Sequence, residues 1–157
     1  MATKAELIDG IQMLINESRR IGSRFTGDEW AMPARDEAGW TNKQVFAHVA
    51  AIGGLVVPLI GGMASAPAGT DLGANMNIDA MNAQLVGQRA DKSIADLESE
   101  LETSYGGVIG YLRAAPDELL EKRATIGGFR DLAVGDLLMQ MVVMHGIAHL
   151  YHAGSRV

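Results

Sequence analysis

Three histidines, His145, His149 and His152, punctuate an apolar segment near the end of this 157-residue chain. On an α-helix, positions i, i+4 and i+7 share a face, so the three imidazoles form one stripe. The stripe continues the line of Leu138, Met141 and Val142, which is expected to face the core. Burying three imidazoles is costly unless their nitrogens are hydrogen-bonded, paired or bound to a metal. The helix that bears them, starting around Gly135-Asp136, is apolar almost all round. It should therefore lie centrally among other helices.

The rest of the chain supplies those helices. Thr3-Lys4-Ala5-Glu6 is a capping box, followed by Leu7, Ile11, Leu14, Ile21 and Phe25 at helical spacing. This first helix should end near Gly27. Thr26 to Gly39 has glycine, proline and charge without period, and reads as a loop carrying Trp30 into the core. A second capping box, Thr41-Asn42-Lys43-Gln44, opens a helix running to Ile60, with Gly53-Gly54 and Pro58 expected to bend or weaken its later turns. Gly61 to Asn77 reads as a long flexible connection. Asn77 is placed to cap a third helix bearing Ile78, Met81, Leu85 and Val86. Ser93 opens a fourth, with Ile94, Leu97, Leu101, Tyr105, Val108 and Leu112 on one face, stopping near Pro116. Pro116 to Lys122 suggests a short extra turn, and Arg123 to Ala133 is loop-like. Scarce aromatics (5%) and plentiful Ala, Leu, Ile and Met favour helix-on-helix packing over a β-sandwich. The expected fold is an all-α, antiparallel four-helix bundle with long loops and a short extra helix, forming one domain over residues 1–157.

Several function classes drop out. The chain has no cysteine, which excludes disulfides, thiolate zinc sites, iron–sulfur clusters and a cysteine nucleophile. A net charge of −6 with scattered basic residues argues against a nucleic-acid partner. The start lacks the apolar core of a signal peptide, and no uninterrupted apolar run reaches the roughly 18–20 residues of a membrane span. The expectation is a soluble, cytoplasmic protein with no membrane partner.

Helix rise limits how many histidines meet one ion. At about 1.5 Å per residue, His145 and His152 stand roughly 10.5 Å apart along the axis. An i,i+4 or an i,i+3 pair converges on a metal easily, so His149 belongs to either pair. The pair His145 with His149 is favoured, which leaves His152 beside the ion or facing substrate. His48, among Val45, Phe46, Val49 and Ile52, is the histidine left to supply a third ligand. Three neutral imidazoles leave a fourth position for water or substrate, the pattern of a catalytic site. Zinc is the leading divalent ion, and nickel, iron or manganese would accept similar ligands. The ordinary alternative keeps His48 hydrogen-bonded to a backbone carbonyl and makes the triplet a polar patch at a helix end, where cations favour the dipole.

Trp40-Thr41-x-x-x-Val45-Phe46-Ala47-His48-Val49-Ala50 resembles the hallmark of the DinB-like metal-binding bundle superfamily. In that superfamily a Trp-Ser/Thr start leads into the helix of the first metal histidine. The paired histidines before Ala153-Gly154 are similar to its second signature. Ile78-Asp79-Ala80-Met81-Asn82-Ala83, Gly87-Gln88-Arg89 and the acidic helix from Ser93 to Leu112 resemble the N-terminal domain of mycothiol-dependent maleylpyruvate isomerases. By this resemblance the chain is expected to stand without the second domain that full members of that group carry. The resemblance maps His48 onto the first ligand and His145-Gly-Ile-Ala-His149 onto the last-helix pair. An alignment anchored on His152 instead would put its partner at Ala148. His48 and His149 are common to most readings.

The resemblance implies a metal-dependent thiol transferase or isomerase acting on a small electrophile, with a low-molecular-weight thiol as co-substrate. No separate general base stands out. Asp79 and Asn82 are candidates for polar contacts or for helix capping. Tyr151 points away from the stripe and is expected to pack, while Trp30 and Trp40 are expected to anchor the core. Two alternatives stand beside the enzyme: a non-catalytic bundle that binds metal or a small ligand, and a structural module that forms a homodimer through its Met-rich, Gly-rich second half.

Overall fold

The computed structural model describes residues 2–37, 39–67, 70–127 and 129–154. Helix α1, Lys4–Arg24, starts at the expected capping box. Thr3 Oγ1 accepts the Glu6 amide, and Glu6 Oε2 accepts the Thr3 amide at 2.8 Å. Its buried face is Leu7, Ile11, Leu14, Ile15, Ser18 and Ile21. Ser18, the polar gap in that stripe, is buried because its hydroxyl donates back to the Ile15 carbonyl at 2.8 Å.

The stretch after α1 is more ordered than its composition suggests. A short helix α2, Gly27–Ala31, has its own capping box from Thr26 and Glu29, and it inserts Trp30 between Phe25 and Phe46. Trp30 therefore reaches the core as expected, from a helix and not from a loop. Residues 32–42 then fold back on themselves. Ala34 N–H donates to the Trp40 carbonyl and Asn42 N–H to the Met32 carbonyl, both at 2.9 Å. The closed loop carries Glu37 near its tip, where Asp36 takes a left-handed φ of 56°.

Helix α3, Asn42–Ser65, opens at the Thr41–Gln44 capping box and runs past Gly53-Gly54 and Pro58 to Ser65. Pro58 removes one donor, yet Val56, Ile60 and Met63 are buried on either side of it, and that packing carries the helix through. Gly53 is a packing position: a Cβ there would lie 2.4 Å from Ser104 Oγ and 2.7 Å from the Tyr105 ring. Helix α5, Ile94–Ala114, thus presses closely on α3, and the Tyr105 hydroxyl donates to the Val49 carbonyl at 3.1 Å. Helix α4, Ile78–Gly87, is capped by Asn77, whose Oδ1 accepts the Ala80 amide. Ser93 and Asp96 cap α5 reciprocally.

The connection expected over 61–77 is shorter, because α3 takes its first five residues. Its second half is tied down by Asp71, whose Oδ1 accepts the amides of Gly73 and Gly127 at 2.9 Å each, while Leu72 N–H donates to the Thr125 carbonyl. Residues 68–69 lie outside the described part. Pro116 leads into a 3₁₀ turn, Asp117–Glu121. The segment expected as loop after it is an antiparallel hairpin of β1, Arg123–Ile126, and β2, Phe129–Ala133. Its turn uses Gly127 at a φ of 54°, a conformation that favours glycine.

A continuous helical rod follows: α6, Val134–Leu137, a π-helical stretch over Leu138–Met144, and α7, His145–Gly154. A π turn takes more residues per revolution than an α turn, so the apolar line slips in phase. Leu138, Val142 and Val143 are buried, whereas Met141, expected on the core face, is 43% exposed. The rod packs on α1 and α3, and α5 packs on the same two helices, which closes the all-α bundle around the core. Helix α3 is long and apolar enough to cross a membrane by length and composition, with a window hydropathy of 2.0. Here it is a central helix of the bundle. It shows that interrupted apolar runs, too, can reach that threshold.

Candidate metal centre

His48 sits one and a half turns into α3, where the helix faces the rod. It is 2% exposed, and its Nδ1 is fully buried without a hydrogen-bond partner. An orphaned buried nitrogen costs about 1–3 kcal/mol, so the backbone-carbonyl alternative for His48 is not what forms. The π-helical stretch sets the phase of α7 so that His145 and His149 face α3. Their ring centroids lie 5.9 and 4.9 Å from that of His48. Gly146 allows the approach: a Cβ at this position would stand 2.3 Å from Leu14 Cδ1 of α1.

The Nε2 atoms of His145 and His149 face each other at 2.9 Å. One ring nitrogen from each of His48, His145 and His149 falls within 4.8 Å of the others. His152 is turned away from this trio, as helix rise requires. Its Nδ1 lies 2.9 Å from Glu37 Oε1, and His149 Nδ1 lies 2.5 Å from the same oxygen. A carboxylate only accepts, so each Nδ1 carries its proton. His149 is thereby held in the tautomer whose Nε2 lone pair points at His145 and His48.

Glu37 is the functional residue that sequence reading missed, since its segment was taken for an aperiodic loop and no general base was found. A physical signal was present. Metal-binding imidazoles usually give their second N–H to a carboxylate, and Asp36-Glu37 stand just ahead of the cap of the His48 helix.

The electrostatics agree with this arrangement. Burial, and then the neighbouring His149 and His145, push the His48 pKa down to about 4, against a small opposing effect of Glu37. Burial followed by His149 lowers His145 as well. For Glu37, burial works to raise the pKa. The hydrogen bond from His152 and the interactions with His149 outweigh it, and the group stays a carboxylate. Burial thus favours the uncharged form of His48 and His145, the form a metal requires of its imidazoles.

The residues fit a divalent ion: an unpartnered buried nitrogen, two facing ring nitrogens and a carboxylate behind one ring. A cavity of about 400 Å³ opens on the centre, lined by Glu37, Trp40, His48, Asp79, Asn82, Ala83, His145 and His149. Trp40 tilts against the His48 ring at 5.2 Å and walls off a second cavity, of about 540 Å³, which no histidine lines. Asp79 and Asn82, left open between polar contact and capping, both face the first cavity, and Asn77 is the cap. Tyr151 does not pack in the core; it is 60% exposed, with its ring 6.1 Å from that of His152.

The crystal structure of an uncharacterised protein from Escherichia coli UTI89 has a similar fold, with a TM-score of 0.76 over 98% of this chain and 91% of that one. At 13% identity the likeness concerns the fold alone. No curated protein matches the chain. The family model of the mycothiol maleylpyruvate isomerase N-terminal domain matches residues 12–148, a span that includes His48 and His145 and stops one residue short of His149. That match covers most of the chain, and the helical bundle agrees with the DinB-like resemblance read from the two histidine motifs; the chain belongs to the mycothiol maleylpyruvate isomerase N-terminal domain family.

Proposed function

We propose that His48, His145 and His149 hold one divalent ion, zinc foremost, and that the protein is a metal-dependent thiol transferase or isomerase acting on a small electrophile in the cytoplasm. The observation that carries this reading is the buried, unpartnered His48 beside two histidines whose Nε2 atoms converge. A divalent ion supplies Lewis acidity, so that a thiol or water bound to it ionises near neutral pH.

The chain's own residues prepare that chemistry. Glu37 keeps the proton on His149 Nδ1 and so keeps Nε2 free. Burial keeps His48 uncharged and ready as a donor without a proton to displace. Trp40 covers one side of the His48 ring and limits water there, while the cavity gives a small ligand access from the side of α4. Glu37 Oε2 accepts from neither histidine, and with Asp79, which lines the same cavity, it is a carboxylate able to take a proton from an incoming thiol.

Metal analysis of untagged protein tests the reading. About one equivalent of ion per chain is expected, falling severalfold in both His48→Ala and His149→Ala. Substoichiometric metal that neither substitution changes sinks the proposal. A second reading, a bundle that binds metal or a small ligand without turnover, is supported by Glu37 already serving two histidines. Turnover of an electrophile with any thiol by the metal-loaded protein decides against it.

A further inference from the structure

The cavity at the histidines has a charge pattern that constrains what enters it. Helix α4 contributes Asp79 and Asn82, three residues apart and thus on one face. The Asp79 side chain is exposed and has neither hydrogen bond nor ion pair among the described residues. Glu37, in contrast, is held by His149 and His152. Among the described residues, no lysine or arginine lines this cavity. Cations of the adjoining cavity are engaged elsewhere: Lys43 donates to the Ala90 carbonyl, and Arg89 forks onto Glu100. The unpartnered His48, which lines the same cavity, marks where a ligand's donor atom would meet the ion.

Three neutral imidazoles, a divalent ion and two carboxylates sum to no net charge. Away from the ion, the unpaired charge among the described lining residues is the negative charge of Asp79. The distal carboxylate of a dicarboxylate whose other end meets the ion therefore finds no lysine or arginine among those residues, and it faces a like charge.

We propose that Asp79 selects ligands with a cationic nitrogen a few bonds from the atom that reaches the ion: small aminothiols and amines over carboxylates. Asn82, one turn along the same face, adds an uncharged donor and acceptor. This inference rests on the metal reading above.

Cobalt(II)-loaded protein provides the test, because a thiolate on cobalt adds a charge-transfer absorption in the near ultraviolet. Cysteamine and 3-mercaptopropionate, nearly equal in size and opposite in charge, are titrated into wild type and Asp79→Asn. The quantity read is the change in the ratio of their dissociation constants between the two proteins, in which the different acidities of the two thiols cancel. The preference for cysteamine is expected to fall roughly tenfold in Asp79→Asn at low ionic strength, and to shrink in wild type as salt is added. An unchanged ratio overturns the inference while leaving the metal reading in place. Failure of cobalt to bind overturns both. Asp79 also lies near the N-terminus of α4, where a negative charge favours the helix dipole. That role alone would alter helix stability and weaken both thiols alike, leaving the ratio unmoved.

Discussion

Glu37 and His48 illustrate two ways a side chain would prepare the proposed metal site, one through hydrogen bonding and one through burial. Partners of this kind behind a ligand are typically worth 10–100-fold in metal affinity. Glu37→Ala is therefore expected to weaken zinc binding about tenfold or more, measured by competition with a chromophoric chelator, while circular dichroism stays unchanged. Glu37→Gln keeps an acceptor for His149 Nδ1 and should lose less. For His48 the sign follows from its lowered pKa. The unfolded chain takes up a proton near pH 6.5, and the folded chain does not until about pH 4. The metal-free protein should thus keep this contribution above pH 6.5 and lose stability steadily between pH 6.5 and 4. Denaturation in urea across that range checks it, and His48→Leu should flatten the slope. The histidines were legible because their spacing matches the helical period. Glu37 was not, because a loop residue has no period and its partner lies 112 positions away.

At the scale of elements, the capped helices were the readable ones. Thr3, Thr41, Asn77 and Ser93 each announce a helix start through a local hydrogen bond, and each start forms where the sequence places it. The hairpin of β1 and β2 was hidden because its support is not local: Asp71 and Leu72, about 55 residues upstream, supply bonds to Gly127 and Thr125. The π stretch was hidden too, since its composition fits an ordinary helix, while its packing is on α1 and α3, both remote in sequence. Two predictions belong here. Gly146→Ala drives a methyl into Leu14; overpacking of this kind costs about 1–3 kcal/mol, and α7 should shift enough to weaken metal binding along with the melting temperature. Asp71→Ala frees two amides far from the histidines. It should speed hydrogen exchange over residues 71–77 and 123–133 and leave zinc affinity unchanged.

For the whole molecule, composition identified the all-α bundle, and the family match extends that reading across most of the chain. The membrane threshold was less reliable as a guide: α3 meets it although it carries the buried His48 and packs against α5 and α7. Whole-molecule stability offers a test independent of activity. An ion bound only by the folded state stabilises by mass action, by about 2.7 kcal/mol at a free concentration 100 times the dissociation constant. For a chain of this size that corresponds to a rise of roughly 5–10 °C in melting temperature. Thermal scans with zinc and with chelator should differ by that amount in wild type. They should coincide in the double variant His48→Ala, His149→Ala.

The groups that meet at the centre stand at positions 37, 48, 145 and 149, so Glu37 and α3 close against α7. His145 and His149 follow His48 in the chain by 97 and 101 positions. During synthesis the ligand trio is incomplete until both have been made, so an ion held by all three cannot organise the N-terminal helices alone. The affinity of such a centre would then report how completely α3 and α7, far apart in sequence, have docked on each other.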